Sequence, residues 1–145
     1  ADELLIVLQM LASGGTINQN RILSETSVAA MLEPQWILNE DGSNGLSAGE
    51  AKPGGPSDGL MTSYGLSVHR IDLREYGYAQ GPNIVLGHLG RAYGVLSHAL
   101  FDPETGDGIA MIITGTANDP SIATGHSPLY RVEEEMLRWW LNKSY

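Results

Sequence analysis

The chain has 145 residues, with no Cys, 18 Gly and 7 Pro, and its 17 Asp+Glu against 8 Lys+Arg give a formal net charge of −9. One domain with its own core is the expected count at this length, burying roughly 70% of the surface the unfolded chain exposes, and 42% apolar against 17% charged residues excludes a disordered chain. Acidity argues against nucleic acid, whose phosphates need clustered Lys/Arg. The lack of Cys rules out disulfides, zinc–thiolate sites and a Cys nucleophile, and no apolar run approaches the roughly 20 residues of a membrane span.

The first predicted element is a helix from Asp2 to Ala12. Leu4, Leu8, Leu11 and Ala12 form a stripe at helical spacing, Asp2 suits the N-cap, and Gly14 or Gly15 suits the left-handed position that ends a helix. Leu5, Ile6, Val7 and Met10 widen the stripe most of the way around, so neighbours are expected on several sides. Asp2 and Glu3 stand where a signal peptide would carry its basic region. A helix that begins almost at residue one reads as the continuation of something longer.

A second helix is predicted from Ser24 to Leu32, with Ser24 as cap, Val28, Met31 and Leu32 on the apolar side, and Pro34 as its stop. Residues 37–62 read as a long loop, because Gly42, Gly45, Gly49, Gly54, Gly55 and Gly59 alternate there with Pro53, Pro56, Ser and Asp. Loops of that length are often lids or binding segments; an insertion without a role is the alternative. Strand signals follow at Tyr64–Ile71, Val95–Phe101 and Ile109–Thr114, the last two joined by a turn from Asp102 to Gly108. The closing helix is predicted over Ser127–Asn142, with Ser127 at the cap and Pro128 at the first helical position. Leu129, Val132, Met136 and Trp139 or Trp140 are its expected sheet-facing side, and Glu133 to Glu135 a solvated face. This order predicts an α+β fold with helices packed on an antiparallel sheet.

Few motifs carry chemistry. His69, His88, His98 and His126 lie at none of the spacings that helical or hairpin metal sites use, so no metal ligand is assigned. Asp102–Asp107 lacks the twelve-residue calcium-loop pattern and its closing Glu. Asn142-Lys143-Ser144 matches a glycosylation acceptor, a pattern short enough to recur by chance. Gly87 to Gly94 is rich in Gly but has neither dinucleotide nor P-loop spacing, and a strand rather than a helix follows it. Three glycines around a His and an Arg on a predicted strand mark a place where something approaches the backbone closely, or else a simple bulge.

Gly87-His88-Leu89-Gly90 with Tyr93-Gly94, then Phe101-Asp102-Pro103-Glu104-Thr105-Gly106-Asp107-Gly108 and an apolar strand ending in Thr114-Gly115, resemble the closing part of the serine β-lactamase and penicillin-binding-protein family, in its class C, esterase-like branch. Leu8-Gln9-Met10-Leu11, Gly14-Gly15, Arg21-Ile22-Leu23-Ser24, Val28, Met31-Leu32 and Tyr64-Gly65-Leu66 resemble the segments that precede those strands. The resemblance implies a β-lactamase/transpeptidase-like fold and a serine hydrolase with a Ser-x-x-Lys nucleophile motif, a Tyr-x-Asn-type motif and a Lys/His-x-Gly strand motif. The third is visible here as His88-Leu89-Gly90. No Ser in the chain is followed three residues later by Lys, and no Tyr two residues later by Asn. In the family both motifs lie upstream, so residues 1–145 are expected to be the carboxy-terminal portion of a single domain.

By the same resemblance the backbone N–H of Arg91 is the oxyanion donor, Gly90 admits the substrate against the strand, His88 assists proton traffic, and Leu89 and Tyr93 border the substrate. No cofactor is implied. Leu89 stands where the family often has a Ser or Thr hydroxyl for a substrate carboxylate, which makes a neutral ester the expected substrate unless the Arg91 side chain supplies a replacement cation. The expected function is part of a β-lactamase-like hydrolase or esterase acting on a small ester or amide, inactive alone, whose partner is the amino-terminal segment of the same enzyme or a second chain. The alternative is a non-catalytic ligand- or partner-binding module retaining a remnant of the fold.

Overall fold

The computed structural model describes residues 1–41, 43–45, 62–76, 84–115 and 129–144. Helix α1 covers Asp2–Ala12, with Ala1 rather than Asp2 at the N-cap and no side-chain cap bond. Asp2 and Glu3 in its first turn still complement the positive end of the helix dipole. At the other end Gly14 takes φ 65°, and the N–H groups of Gly14 and Gly15 donate to Leu11 O (3.1 Å) and Met10 O (2.8 Å). This Schellman arrangement satisfies carbonyls the helix would otherwise orphan. Leu8, Met10 and Leu11 are buried, but Ile6 and Val7 stay close to half exposed, so the described neighbours cover one side of α1 rather than most of it.

After the short β1 (Thr16–Ile17) and β2 (Asn20–Arg21) pair, helix α2 runs from Glu25 to Leu32. Ser24 caps it as expected, its Oγ accepting from Ser27 N–H at 3.0 Å, and Glu33 leaves the helix in an extended conformation just before Pro34.

The main sheet has six strands in the order β3 (Trp36–Ile37), β4 (Ser63–Tyr64), β5 (His69–Asp72), β6 (Ile84–Ala92), β7 (Val95–Phe101) and β8 (Gly108–Ile113), antiparallel throughout. The fold is α+β. The expected strand Tyr64–Ile71 is instead a tight hairpin, β4 and β5. Gly65 N–H donates to Val68 O at 2.8 Å, and Ser67 adopts φ 55° in the turn. The hairpin tip leans on the end of α2, where Leu66 N–H donates to Met31 O at 3.0 Å; a Cβ at Gly65 would lie 1.9 Å from that same oxygen. Since β3 pairs with β4, the long loop joins two adjacent strands. Its first residues fold back on themselves, with Asn44 Nδ2 donating to Ile37 O at 2.8 Å, while residues 42 and 46–61 of the expected loop lie outside the described residues.

The two faces of the sheet carry separate cores. Val28 of α2 and Leu8 and Leu11 of α1 pack with Leu86 and Phe101 on one face. On the other, Val85, Leu89, Leu100 and Ile109 meet helix α3 (Arg131–Ser144) through Leu137, Trp140 and Leu141. The closing helix therefore lies on the sheet as expected, but rotated: Val132 and Trp139 are exposed, whereas Glu133 and Glu134 are buried rather than solvated. Burial of Glu133 follows from partners on the sheet, described below. Ser127 and Pro128, expected at the helix start, lie outside the described residues.

Candidate functional site

The site is an edge. β7 pairs with β6 from Leu86 to Ala92, whereas β5 pairs with it only from Ile84 to Gly87. Tyr93 and Gly94, with φ 50° and 78°, form the two-residue turn between β6 and β7, the left-handed pair a tight hairpin requires. Such a turn makes Ala92 and Val95 a hydrogen-bonded pair, so Gly90 and His88 also address β7 with their backbones, and Leu89 and Arg91 point theirs the opposite way. Leu89 shows that direction, its N–H reaching His69 Nδ1 at 3.4 Å. Beyond Gly87, no strand among the described residues covers this side of β6.

Gly87 is what lets β6 run past β7 at this point: it has φ 144°, and a Cβ there would lie 1.9 Å from Ala99 O. Gly90 is less constrained, since a Cβ would meet Ser97 Oγ at 2.4 Å, the end of a side chain that can rotate.

Two imidazoles meet beside this edge. The exposed His88 ring lies 4.0 Å, centroid to centroid, from the buried His69 ring at an interplanar angle of 34°, and Tyr64 packs edge-on against His69 at 4.9 Å. His88 Nδ1 lies 2.8 Å from Leu89 O. A carbonyl can only accept, so that nitrogen carries the proton and the neutral ring keeps its lone pair on Nε2. His69 has the opposite tautomer, because its Nδ1 accepts the Leu89 N–H. Burial, and secondarily the charge of His88, push the His69 pKa down from 6.5 to about 4.

That shift has a sign. An unfolded His69 takes up its proton near 6.5 and the folded one only near 4, so acidification through this window favours unfolding. The full loss, on the order of 3 kcal/mol, is present at pH 4 and absent above the unfolded value. Urea unfolding between pH 7 and 4 is expected to show it, and His69→Phe, which removes the titrating group, is expected to flatten that part of the profile.

Behind the edge, Glu133 of α3 holds three groups. His98 Nε2 lies 2.7 Å from Oε1, Arg91 Nη2 donates to Oε2 at 3.1 Å, and Tyr130 N–H donates to Oε2 at 2.7 Å. His98 and Glu133 are each 1% exposed, and the Arg91 guanidinium sits 5.3 Å from the Tyr130 ring centroid. Burial alone would raise the Glu133 carboxyl. The hydrogen bonds from His98 and Tyr130, with the charges of His98 and Arg91, outweigh it and hold the group below the usual carboxylate range.

Of the residues singled out in the sequence, His88, Gly90 and Arg91 follow one another along the part of β6 beyond its pairing with β5. Leu89 turns its side chain into the α3 core, and Tyr93 projects wholly into solvent at the turn, so neither side chain lines the edge. His126 lies outside the described residues. No group of three or more His, Asp or Glu placed to hold a metal ion occurs among the described residues, and no described helix is long and apolar enough to cross a membrane. Spacing gives His69 and His98 no role and puts Glu133 on a solvated face, yet all three belong to the site. For His98 a signal existed, since it alternates with Leu96 and Leu100 on the core face of a strand and so needs a buried partner.

No protein-family model, no curated protein and no solved structure matches this chain.

Proposed function

We propose that this chain is part of a serine hydrolase of the β-lactamase-like or esterase type and supplies its oxyanion strand. The observation that carries this reading is the stretch of β6 beyond Gly87 that no described strand but β7 pairs, where the Arg91 N–H points away from β7, with the exposed His88 and Gly90 just before it. The nucleophile belongs to a Ser-x-x-Lys segment on an amino-terminal portion of the enzyme or on a second chain. Its Oγ attacks the acyl carbonyl, and the resulting oxyanion accepts the Arg91 N–H, a contribution of roughly 3–4 kcal/mol to the transition state. Collapse expels the alcohol, which takes the proton the serine released, and water then cleaves the acyl-serine. His88 Nε2, left with its lone pair by the Nδ1 contact to Leu89 O, is the group on this strand placed to carry that proton.

The substrate class follows from what the side chains already do. Arg91 gives its guanidinium to Glu133 and Leu89 lies in the core, so neither offers a counter-charge to a substrate carboxylate. A neutral ester fits better than a β-lactam or a peptide carboxylate. Co-expression with a Ser-x-x-Lys segment of this family, followed by assay of a 4-nitrophenyl ester and a chromogenic cephalosporin, tests the reading. The ester is expected to turn over through an acyl-enzyme visible by mass spectrometry, and His88→Ala to lower kcat/KM by roughly 10²–10⁴. Absence of an acyl-enzyme with either compound refutes it.

A further inference from the structure

A second feature lies on the opposite face of the sheet and owes nothing to the β6 edge. Two cavities of about 500 and 510 Å³ adjoin there, and Pro34, Arg70 and Ile84 line both. Each falls within the roughly 300–1,000 Å³ of small-molecule sites. Leu32 and Leu86 add apolar wall to the first, Ile37 and Leu38 to the second.

Arg70 stands at the junction. Its place on β5 is set by pairing with Leu86, and its Nη1 donates to the carbonyl of Leu32 in the last turn of α2. That contact leaves most of its charge unanswered, because a guanidinium has five N–H donors and a full positive charge while a helix C-terminus offers about half a negative one. Among the described residues no carboxylate forms an ion pair with it; Asp72, on the same strand, is taken up by Arg74. A partly buried cation without a counter-ion among the described residues, set between apolar walls, is complementary to an anion with an apolar body. Glu33, Glu40 and Glu104 are exposed around the cavities and disfavour any ligand carrying more than one negative charge.

We propose that these joined cavities bind an amphiphilic monocarboxylate, its carboxylate on the Arg70 fork and its chain along Leu32, Ile84 and Leu86. Calorimetric titration of the full chain with dodecanoate, kept below its micelle concentration, tests the site against dodecan-1-ol, which has the tail without the charge. Dodecanoate is expected to bind about tenfold or more tightly than the alcohol, and Arg70→Met to remove that difference. Arg70→Lys, which keeps the charge and the reach to Leu32 but loses the fork, is expected to weaken binding to an intermediate value. Ala29→Phe narrows the first cavity from its exposed wall without touching Arg70 and is expected to weaken acid and alcohol alike. The proposal is overturned if dodecanoate does not bind, if the alcohol binds as well, or if the acid binds unchanged to Arg70→Met or to Ala29→Phe. Should Arg70→Met fail to fold, unchanged binding to Arg70→Lys together with Ala29→Phe overturns it equally.

Discussion

Replacing Glu133 by Ala is expected to lower the unfolding free energy by about 3–5 kcal/mol, the range for removing one partner from a buried ion pair. The physical cause is what the substitution leaves behind. Arg91 and His98 lose the carboxylate that answers them, and the Tyr130 N–H loses its acceptor. Glu133→Gln keeps an oxygen for the Arg91 or Tyr130 donors and the side-chain volume, so it is expected to cost less than Ala while still losing the charge. Urea midpoints for the two variants measure both effects. The carboxyl also carries a pH signature. Because its folded pKa lies below the ordinary carboxylate value, the stability it contributes is present above that value and is lost as the pH falls through the lowered one. Acid unfolding of the native chain therefore has two stages, His69 between 6.5 and about 4, then Glu133 lower down, and Glu133→Gln is expected to abolish the second stage alone.

Gly87→Ala is expected to cost about 4 kcal/mol, combining backbone strain at a positive φ with overpacking of a buried strand. Neither part can relax easily. The new methyl would meet Ala99 O at 1.9 Å and Leu100 Cα at 2.9 Å, which are main-chain atoms of the neighbouring strand. Gly90→Ala makes the informative control, since its clash is with the movable Ser97 Oγ, and it is expected to cost under about 1 kcal/mol. Thermal or urea unfolding compares them. If the Gly87→Ala chain stays folded, displacement of β6 separates the two imidazoles, and the His69 titration by NMR should move back toward 6.5.

Where local pattern and local structure coincide, the sequence was a good guide. Ser24 as cap, a left-handed Gly14 or Gly15 after α1, the Asp102–Gly108 turn, and β7 and β8 all follow from spacing within a few residues. The Tyr64–Ile71 segment misled because its alternation runs unbroken through a turn that only Ser67 at φ 55° and the Gly65 contact with α2 disclose. The face of α3 misled for a different reason. Hydrophobic periodicity places Glu outward, while the groups that bury Glu133 lie 35 and 42 residues away in the chain. At the candidate site the Gly-rich strand was legible, and so was the possibility of close backbone approach. The direction in which Arg91 points its N–H becomes legible once the Tyr93-Gly94 turn sets the register of β6 against β7. The His69 ring, 20 positions before the Leu89 whose N–H it accepts and packed beside His88, left no local trace.

The order of the sheet carries a kinetic consequence. Strands β3 to β8 follow one another in space as they do in the chain, so the sheet can zip up hairpin by hairpin, starting from the tight turn at Tyr93-Gly94, with little loop to close at most steps. The contacts of longest reach are those of α1 with β7 and β8, while helix α3, last in the chain, docks onto a sheet already in place. Loosening its Glu133 anchor should then leave the folding arm of a chevron plot nearly unmoved and raise the unfolding arm, so the lifetime of the native state, more than the speed of reaching it, depends on that one carboxylate.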